Sequence, residues 1–255
     1  MYWRRTDARC DSSAADESDR RPPGANASLV NPARLRPSVR TAILIATFPT
    51  LGVLLLNGFW NEPLYRASMT GFWFADGLTH VVVPAAMLVW LAARHGINPA
   101  DYGLAACRGR SGELLGLTLL ASALFWISYK PVATFFGHLL QSEGALVTYV
   151  DVMPVQPVAH SLVAVYFSLS AAVFEEIMYR GLPHVYFMRG WSAARPGMYV
   201  ICSAVLFGLA HWENGAHEIL GTACLGVFAC ALYLKIRTLW PLIGAHFIVD
   251  MVSFT

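Results

Sequence analysis

Two adjacent carboxylates interrupt an otherwise apolar part of this sequence. Glu175 and Glu176 follow an apolar run that starts near Val158, and Arg180 comes four residues after Glu176. An ionised side chain at the centre of a bilayer costs roughly 2.5–3.5 kcal/mol on insertion scales, so two in succession indicate a functional site. Glu176 and Arg180 share one helical face and are expected to pair. Glu175 points about 100° away from Glu176, which leaves it as the freer carboxylate and suits a general base.

Two later apolar runs each carry a histidine at helical spacing. Phe207 precedes His211 by four residues, and His246 precedes Asp250 by four residues. An acid one turn away from a histidine can fix the tautomer and orientation of the imidazole. Each motif alone also fits hydrogen-bonded residues that pack helices, and the carboxylates alone also fit a solvated helix end. Together the three motifs predict one hydrolytic site, in which Glu175 is the candidate general base.

The composition indicates the kind of chain that must position these residues. Of its 255 residues, 56% are hydrophobic and 13% are charged, against about 25% charged in soluble domains. Continuous apolar runs near 20 residues recur, which favours an all-α, polytopic integral membrane protein over a β-barrel. The formal net charge of +2 gives no support for a nucleic-acid partner.

Hydropathy predicts about seven transmembrane helices, with the catalytic cavity between the last four. A brief apolar stretch, Pro131–Leu140, is a candidate interfacial segment. The predicted spans are Thr41–Trp60, Phe72–Ala93, Leu114–Tyr129, Val158–Glu175, Met198–Trp212, Ile219–Ile236 and Trp240–Phe254.

The distribution of basic residues predicts the orientation. With seven spans, 16 of the 18 Lys and Arg residues fall on the side of the N-terminus and two on the other side. Because basic residues concentrate in cytoplasmic loops, the N-terminus is expected inside and the C-terminus outside. Residues 1–40 contain eight arginines and predict a disordered cytoplasmic tail, followed by a transmembrane domain over 41–255. The expected location is the cell's inner or cytoplasmic membrane.

The pattern E-E-x-x-x-R, then F-x-x-x-H, then H-x-x-x-D on successive late helices resembles the CAAX-protease and bacteriocin-processing family. These proteins are intramembrane endopeptidases of glutamic type, often classified with the metalloproteases. The resemblance covers about residues 158–254, which is the expected protease core. It implies a substrate that is a membrane-associated or lipid-modified protein or peptide, and the bilayer as the other partner.

The resemblance also implies roles for the motif residues. Glu175 corresponds to the glutamate that activates water, with His211 assisting it. Glu176 is counted with the catalytic residues and pairs with Arg180, while Arg180 and Phe207 correspond to supporting residues. His246 and the residue at position 250 correspond to groups that stabilise the oxyanion. Many members have Asn at that position, and an ionised Asp250 would repel an oxyanion. Asp250 is therefore expected to be protonated, to orient His246 or to help bind a cation.

No cofactor is expected from this sequence, and zinc is the alternative. Two histidines and one glutamate would suit a catalytic zinc with an open position. However, His217-Glu218 lacks the second histidine of H-E-x-x-H. The five cysteines show no C-x-x-C spacing, so neither a disulfide nor a zinc site is assigned to them.

Hydropathy and the motifs disagree about the depth of Glu175 and His211 in the membrane. The predicted boundaries put Glu175 near the inner end of its helix and His211 near the outer end of the next, where they could not meet. A common site requires the helix of Glu175 to continue past Arg180, or the next helix to start deeper or to tilt. Asp76 and His80, four residues apart in the second span, are a second candidate polar pair, and Glu213 is expected in a loop or at a helix end.

The sequence therefore predicts an intramembrane endopeptidase. One alternative is a non-proteolytic immunity or scaffold protein of the same family. Another is a transporter or proton-relay protein that uses Glu175, Glu176 and Arg180 as a charge relay. A haem protein with His211 and His246 as axial ligands is a more distant alternative.

Overall fold

The computed structural model describes residues 37–56, 58–105, 109–140, 152–189 and 194–254. In these ranges every regular element is helical, which confirms the all-α prediction. Residues 1–36 of the predicted tail lie outside the described ranges. The helices are α1 (Pro37–Leu55), α2 (Gly58–Ala67), α3 (Met69–Gly77), α4 (Val83–His95), α5 (Ser111–Leu140), α6 (Pro157–Glu176), α7 (Leu182–Arg189), α8 (Pro196–Leu209), α9 (Ala216–Ile236) and α10 (Trp240–Ser253).

Four helical segments are long and apolar enough to cross a bilayer. A π-helical turn joins α3 to α4, and a second joins α6 to α7, so that each pair forms one continuous helix. Three shorter apolar helices accompany the long ones, and a total of seven crossings stays a prediction. The long segments are Met69–His95, Ser111–Leu140, Pro157–Arg189 and Ala216–Ile236, and the shorter ones are Val39–Leu55, Pro196–Leu209 and Trp240–Ser253.

Large apolar side chains cover the outer faces of these helices. Phe48 is 76% exposed, Val89 and Ile127 are each 67% exposed, and Leu162 is 66% exposed. In water such surfaces would aggregate, whereas in a bilayer they contact acyl chains. The polar site described below is enclosed by this apolar shell.

Several predicted boundaries were wrong. The stretch Pro131–Leu140 is not a separate interfacial segment, because it continues α5 without interruption. A proline inside a helix removes one backbone hydrogen bond, and flanking apolar packing tolerates that loss in membrane helices. The predicted span Thr41–Trp60 is also divided, since α1 ends at Leu55 and α2 begins at Gly58.

The helix that carries Glu175 continues well past Arg180. The π-helical turn Ile177–Gly181 follows α6, with the Leu182 N–H bonded to the Ile177 carbonyl, and α7 extends to Arg189. Glu175 therefore lies in the middle of a 33-residue helix rather than at its end. This is the first of the arrangements that a common site required, and it removes the conflict of depth with His211.

Close approach of α8 and α9 brings the end of α8 against the bundle. A Cβ atom at Gly208 would lie 2.6 Å from the Ile219 carbonyl oxygen and 2.8 Å from the Ala223 Cβ. At Gly226 a Cβ atom would lie 3.0 Å from the Ala204 Cα. Small residues let membrane helices pack backbone to backbone, and here they fix the position of His211, three residues after Gly208.

Candidate functional site

A fully buried ion pair forms the floor of the site. The Arg180 Nη1 lies 3.3 Å from the Glu176 Oε1, and both side chains are 0% exposed. The guanidinium also lies over the Phe207 ring, 4.0 Å from its centroid. Burying two unpaired charges would be very costly, whereas a paired and stacked arrangement holds both side chains in one position. Glu176, Arg180 and Phe207 therefore form a rigid unit across α6, the π-helical turn and α8.

His246 joins that unit to α10. Its Nδ1 lies 2.9 Å from the Glu176 Oε1. Because a carboxylate only accepts hydrogen bonds, Nδ1 carries the hydrogen. Its Nε2 lies 3.5 Å from the Asp250 Oδ2 and 3.8 Å from the Glu175 Oε2. Three carboxylates thus surround one imidazole, an arrangement that stabilises positive charge on the ring.

Glu175 has a different environment from its neighbour. Its side chain is 25% exposed, against 0% for Glu176. The Glu175 Oε2 is buried, and no described residue gives it a hydrogen bond. One carboxylate is therefore fixed by an arginine and a histidine, while the other faces the cavity and can accept a proton. This matches the freer carboxylate that the sequence predicted.

The tautomer of His211 follows from its hydrogen bond. Its Nδ1 lies 2.9 Å from the Phe207 carbonyl oxygen, and the two rings are edge to face with centroids 5.0 Å apart. A carbonyl oxygen only accepts, so Nδ1 carries the hydrogen and Nε2 of the neutral ring is an acceptor. An imidazole fixed in this way can take a proton through Nε2.

One cavity of about 220 Å³ contacts these residues. Water occupies about 30 Å³ in the liquid, so the cavity has room for several molecules or for a short piece of an extended chain. Residues from four continuous helices and from the segment between α8 and α9 line it. They include Asp76, His80, Ser170, Glu175, Tyr179, His211, Glu213, His246 and Asp250.

A second polar cluster also borders the cavity. The Asp76 Oδ1 lies 3.0 Å from the His80 Nδ1, and the Tyr166 hydroxyl donates a 2.8 Å hydrogen bond to the Asp76 Oδ2. Asp76 is 1% exposed. His80 lies in the π-helical turn Leu78–Val82, in which the Val83 N–H bonds to the Leu78 carbonyl. Such turns are rare and often occur at functional sites. Here this turn and the second π-helical turn, Ile177–Gly181, border the same cavity.

Glu213 is a further acid on the cavity wall. It lies in a short 3₁₀ turn, Trp212–Asn214, between α8 and α9. Burial raises the pKa of the Glu213 carboxyl, and the nearby His80 side chain partly offsets that rise. The sequence placed this residue correctly in a turn, but it gave no signal that the turn folds over the cavity.

The structure brings the predicted site residues together. Glu175, His211, His246 and Asp250 share the cavity, while Glu176, Arg180 and Phe207 lie directly behind them. Their catalytic roles stay predictions. Tyr166 and Tyr179 could not be singled out from the sequence, since a tyrosine in a membrane span carries no signal of its own.

The choice between a metal-free site and zinc stays a prediction. Among the described residues, no three His, Cys, Asp or Glu side chains are arranged to hold a metal ion. Cys202, Cys224 and Cys230 are free thiols. Around His246, Nδ1 is bonded to Glu176, while Nε2 lies 3.5 Å from Asp250 and 3.8 Å from Glu175.

Comparison with known proteins identifies the part of the chain that carries the site. Residues 157–252 match the model of the family described as type II CAAX prenyl endopeptidase Rce1-like. This segment contains α6 to α10 up to Val252, and with it all three motifs. The match is to the same family that the motifs of this segment resemble. Comparisons with curated proteins and with solved structures give no significant match.

Proposed function

We propose that this chain, whose residues 157–252 carry the core of the type II CAAX prenyl endopeptidase family, is an intramembrane endopeptidase. Its reaction is hydrolysis of a peptide bond in a membrane-associated or lipid-modified protein. The observation that carries the proposal is that Glu175, His211, His246 and Asp250 line one cavity inside an apolar helical shell. These groups suffice for acid–base catalysis at a depth where water is otherwise excluded.

Activation of water is assigned to Glu175 and His211. A water molecule between them would donate one hydrogen bond to the Glu175 carboxylate and a second to the His211 Nε2. Glu175 takes the proton as the oxygen attacks the peptide carbonyl carbon, and a positioned general base of this kind contributes about 10²–10⁴-fold. The hydrogen bond from His211 to the Phe207 carbonyl supports this role, because it presents an acceptor nitrogen to the water.

Stabilisation of the oxyanion is assigned to His246. With hydrogens on both nitrogens, the ring donates from Nδ1 to Glu176 and from Nε2 to the developing negative charge. The Nε2 lies closer to Asp250 than to Glu175, which supports a role for Asp250 in orienting the ring. Protonation of Asp250 would remove its repulsion of the oxyanion.

Glu176 and Arg180 are assigned a supporting role. They touch neither the cavity nor the reacting atoms, yet Glu176 holds His246 and Arg180 packs against Phe207. The proposed steps use no metal, and this is supported by the lack of a group of three His, Cys, Asp or Glu side chains arranged for a metal among the described residues. Family membership favours a prenylated C-terminal tail as substrate, with peptide leaders and sorting segments as other members of the same substrate class.

The test is a cleavage assay with purified protein in liposomes. The probes are a synthetic peptide that ends in a prenylated cysteine followed by three residues, and membrane proteins of the host, both read by mass shift. We expect cleavage by wild type that resists a chelator, and loss of at least about 10²-fold in Glu175→Gln and His246→Ala. The matched controls Glu113→Gln and His138→Gln, which change exposed residues of α5, should retain wild-type rates.

Three results would contradict the proposal. Absence of any wild-type product, with an in-cell phenotype that Glu175→Gln retains, would favour the scaffold or immunity protein. Proton or solute flux that depends on Glu175 without cleavage would favour a transporter. Loss of activity with a chelator and its return with zinc would overturn the metal-free mechanism.

A further inference from the structure

Tyr179 lines the cavity but has no part in the mechanism proposed above. It lies in the π-helical turn Ile177–Gly181, four residues after Glu175, and both side chains line the same cavity. Its side chain is 1% exposed. The charge of Glu175 acts on the Tyr179 hydroxyl, so this oxygen lies near the proposed base. A phenol in this position is either a packing residue or a hydrogen-bond donor, and its surroundings distinguish the two roles.

Three polar rings surround the Phe207 ring edge to face. The Tyr179 ring lies 5.2 Å from it between centroids, with an interplanar angle of 62°. The corresponding distances are 5.0 Å for His211 and 6.2 Å for His246, with angles of 72° and 84°. Edge-to-face pairs are a preferred arrangement of aromatic side chains. The Tyr179 ring is therefore held beside the same phenyl group as the two imidazoles that the mechanism uses.

The hydroxyl groups of the residues that line the cavity differ in what their hydrogens do. The Ser170 hydroxyl donates to the Tyr166 carbonyl oxygen at 2.8 Å, and the Ser253 hydroxyl donates to the Val249 carbonyl oxygen at 3.1 Å. Each hydroxyl has one hydrogen, so both serine donors are engaged within their own helices. Among the described residues, none forms a hydrogen bond with the Tyr179 hydroxyl. Its hydrogen is therefore available to a substrate.

The carboxylates around His246 make a second donor to the substrate carbonyl oxygen advantageous. The proposed mechanism gives that oxygen one donor, the His246 Nε2, which lies 3.5 Å from the Asp250 Oδ2 and 3.8 Å from the Glu175 Oε2. An ionised carboxylate at such a distance opposes the negative charge that develops on the oxygen. A tyrosine hydroxyl is neutral and donates one hydrogen bond, and tyrosine side chains are among the donors of oxyanion holes.

We propose that Tyr179 is a second oxyanion donor, whose hydroxyl hydrogen-bonds to the carbonyl oxygen of the scissile bond beside the His246 Nε2. This inference rests on the proposed function. Glu175 takes a proton from water as the C–O bond forms, and the electron pair of the carbonyl π bond moves to oxygen. Tyr179 keeps its proton throughout and stabilises that charge. When the C–N bond breaks, the carbonyl re-forms, and the proton held by Glu175 passes to the leaving nitrogen.

The experiment separates the transition state from the ground state. The substrate is the amide peptide, which is the prenylated peptide described above. A phosphinate in place of the scissile amide gives a tetrahedral, anionic analogue of the intermediate, which binds through the contacts of the transition state. A ketone with a methylene group in place of the amide nitrogen gives an uncleaved analogue of the ground state. Cleavage is read by mass shift, and binding of both analogues is measured by calorimetry in detergent.

We expect Tyr179→Phe to lower kcat on the amide peptide by at least about 10²-fold with KM within about threefold, because an oxyanion donor is lost and substrate binding is kept. The Kd of the phosphinate should rise by a similar factor, and the Kd of the ketone should stay within about threefold. Tyr199→Phe is the matched control, since it removes the same oxygen from a buried ring of α8 outside the cavity. It should leave all of these values unchanged.

The other outcomes decide against the inference. Full activity of Tyr179→Phe would remove the hydroxyl from the mechanism. Weaker binding of both analogues by equal factors would make Tyr179 a structural residue. A lower kcat with unchanged phosphinate binding would place the hydroxyl at the attacking water. Loss in Asn214→Ala without loss in Tyr179→Phe would assign the second donor to the turn between α8 and α9, whose Asn214 also lines the cavity.

Failure of the proposed function gives a different result. If wild type neither cleaves the amide peptide nor binds the phosphinate, the proposed activity on prenylated peptides falls and the inference with it. Cleavage by wild type together with full activity of Tyr179→Phe rejects the inference alone.

Discussion

The Nδ1 of His246 lies 2.9 Å from the Oε1 of Glu176, although the two residues are 70 positions apart in the chain. This contact joins α10 to α6 at the point where Arg180 also pairs with Glu176. The same carboxylate oxygen of Glu176 therefore compensates the charge of Arg180 and orients the imidazole of His246. Changes at Glu176 are expected to affect stability and activity together.

The Glu176–Arg180 pair can be tested by comparing single and paired replacements. Glu176→Gln leaves the buried Arg180 charge without its partner, and we expect a loss of about 3–5 kcal/mol of stability. Replacing both residues with Gln and Met should recover much of that loss, because no uncompensated charge remains. Cleavage should stay impaired in both variants, since a neutral amide oxygen is a weaker acceptor for the His246 Nδ1 hydrogen and no longer stabilises positive charge on the ring. Thermal unfolding in detergent and the cleavage assay measure the two effects; equal stability of Glu176→Gln and wild type would contradict this account.

Replacements at position 250 show whether Asp250 acts by orienting His246 or by its negative charge. Asp250→Asn keeps the shape of the side chain 3.5 Å from the His246 Nε2 and adds an amide that can donate to an oxyanion. We expect it to retain activity within about tenfold of wild type, whereas Asp250→Leu should lose about 10²–10³-fold, the usual cost of an oxyanion-hole defect. The measurement is kcat/KM on the amide peptide. Equal inactivity of both variants would indicate that the negative charge itself is required.

The acid Glu213 predicts a dependence of stability on pH. Burial raises its pKa in the folded protein above the ordinary value of 4.5. Between the ordinary pKa and this raised pKa, the folded state binds more protons than the unfolded state. Stability is therefore expected to fall as pH rises through that window. At higher pH the destabilisation by the buried, ionised Glu213 carboxylate is complete. Glu213→Gln should be more stable than wild type at neutral pH, with a difference that disappears below about pH 4. Melting temperatures of both proteins across this range provide the test, and a constant difference would contradict it.

The close crossing of α8 and α9 predicts a strong effect at one glycine. In Gly208→Ala the new methyl group would lie 2.6 Å from the Ile219 carbonyl oxygen, so the helices must separate. We expect a loss of about 1–3 kcal/mol of stability, typical of overpacking, and lower activity because His211 moves with the end of α8. Gly116→Ala is the matched control, since no atom lies within 4 Å of its added Cβ. That variant should be neutral or slightly stabilised, and equal effects at both positions would disprove the packing argument.

The sequence by itself determined the class of protein and the residues of its site. Continuous apolar runs predict membrane helices because a bilayer offers the backbone no hydrogen-bond partners. The pairs Glu176–Arg180, His246–Asp250 and Asp76–His80 were also readable, because residues four apart on a helix meet whatever the rest of the fold does. All three pairs are in contact in the structure.

Only the tertiary structure decided how those pairs combine. Hydropathy predicts the end of a helix at Glu175 because charged residues lower the hydropathy there. The helix continues because Glu176 neutralises Arg180 and Phe207 from another helix covers it. Contacts such as Glu176 with His246, or Asp76 with Tyr166, depend on the relative depth and rotation of separate helices. Depth and rotation are set by side-chain packing between helices, for example at Gly208, and no spacing within one segment of sequence specifies them.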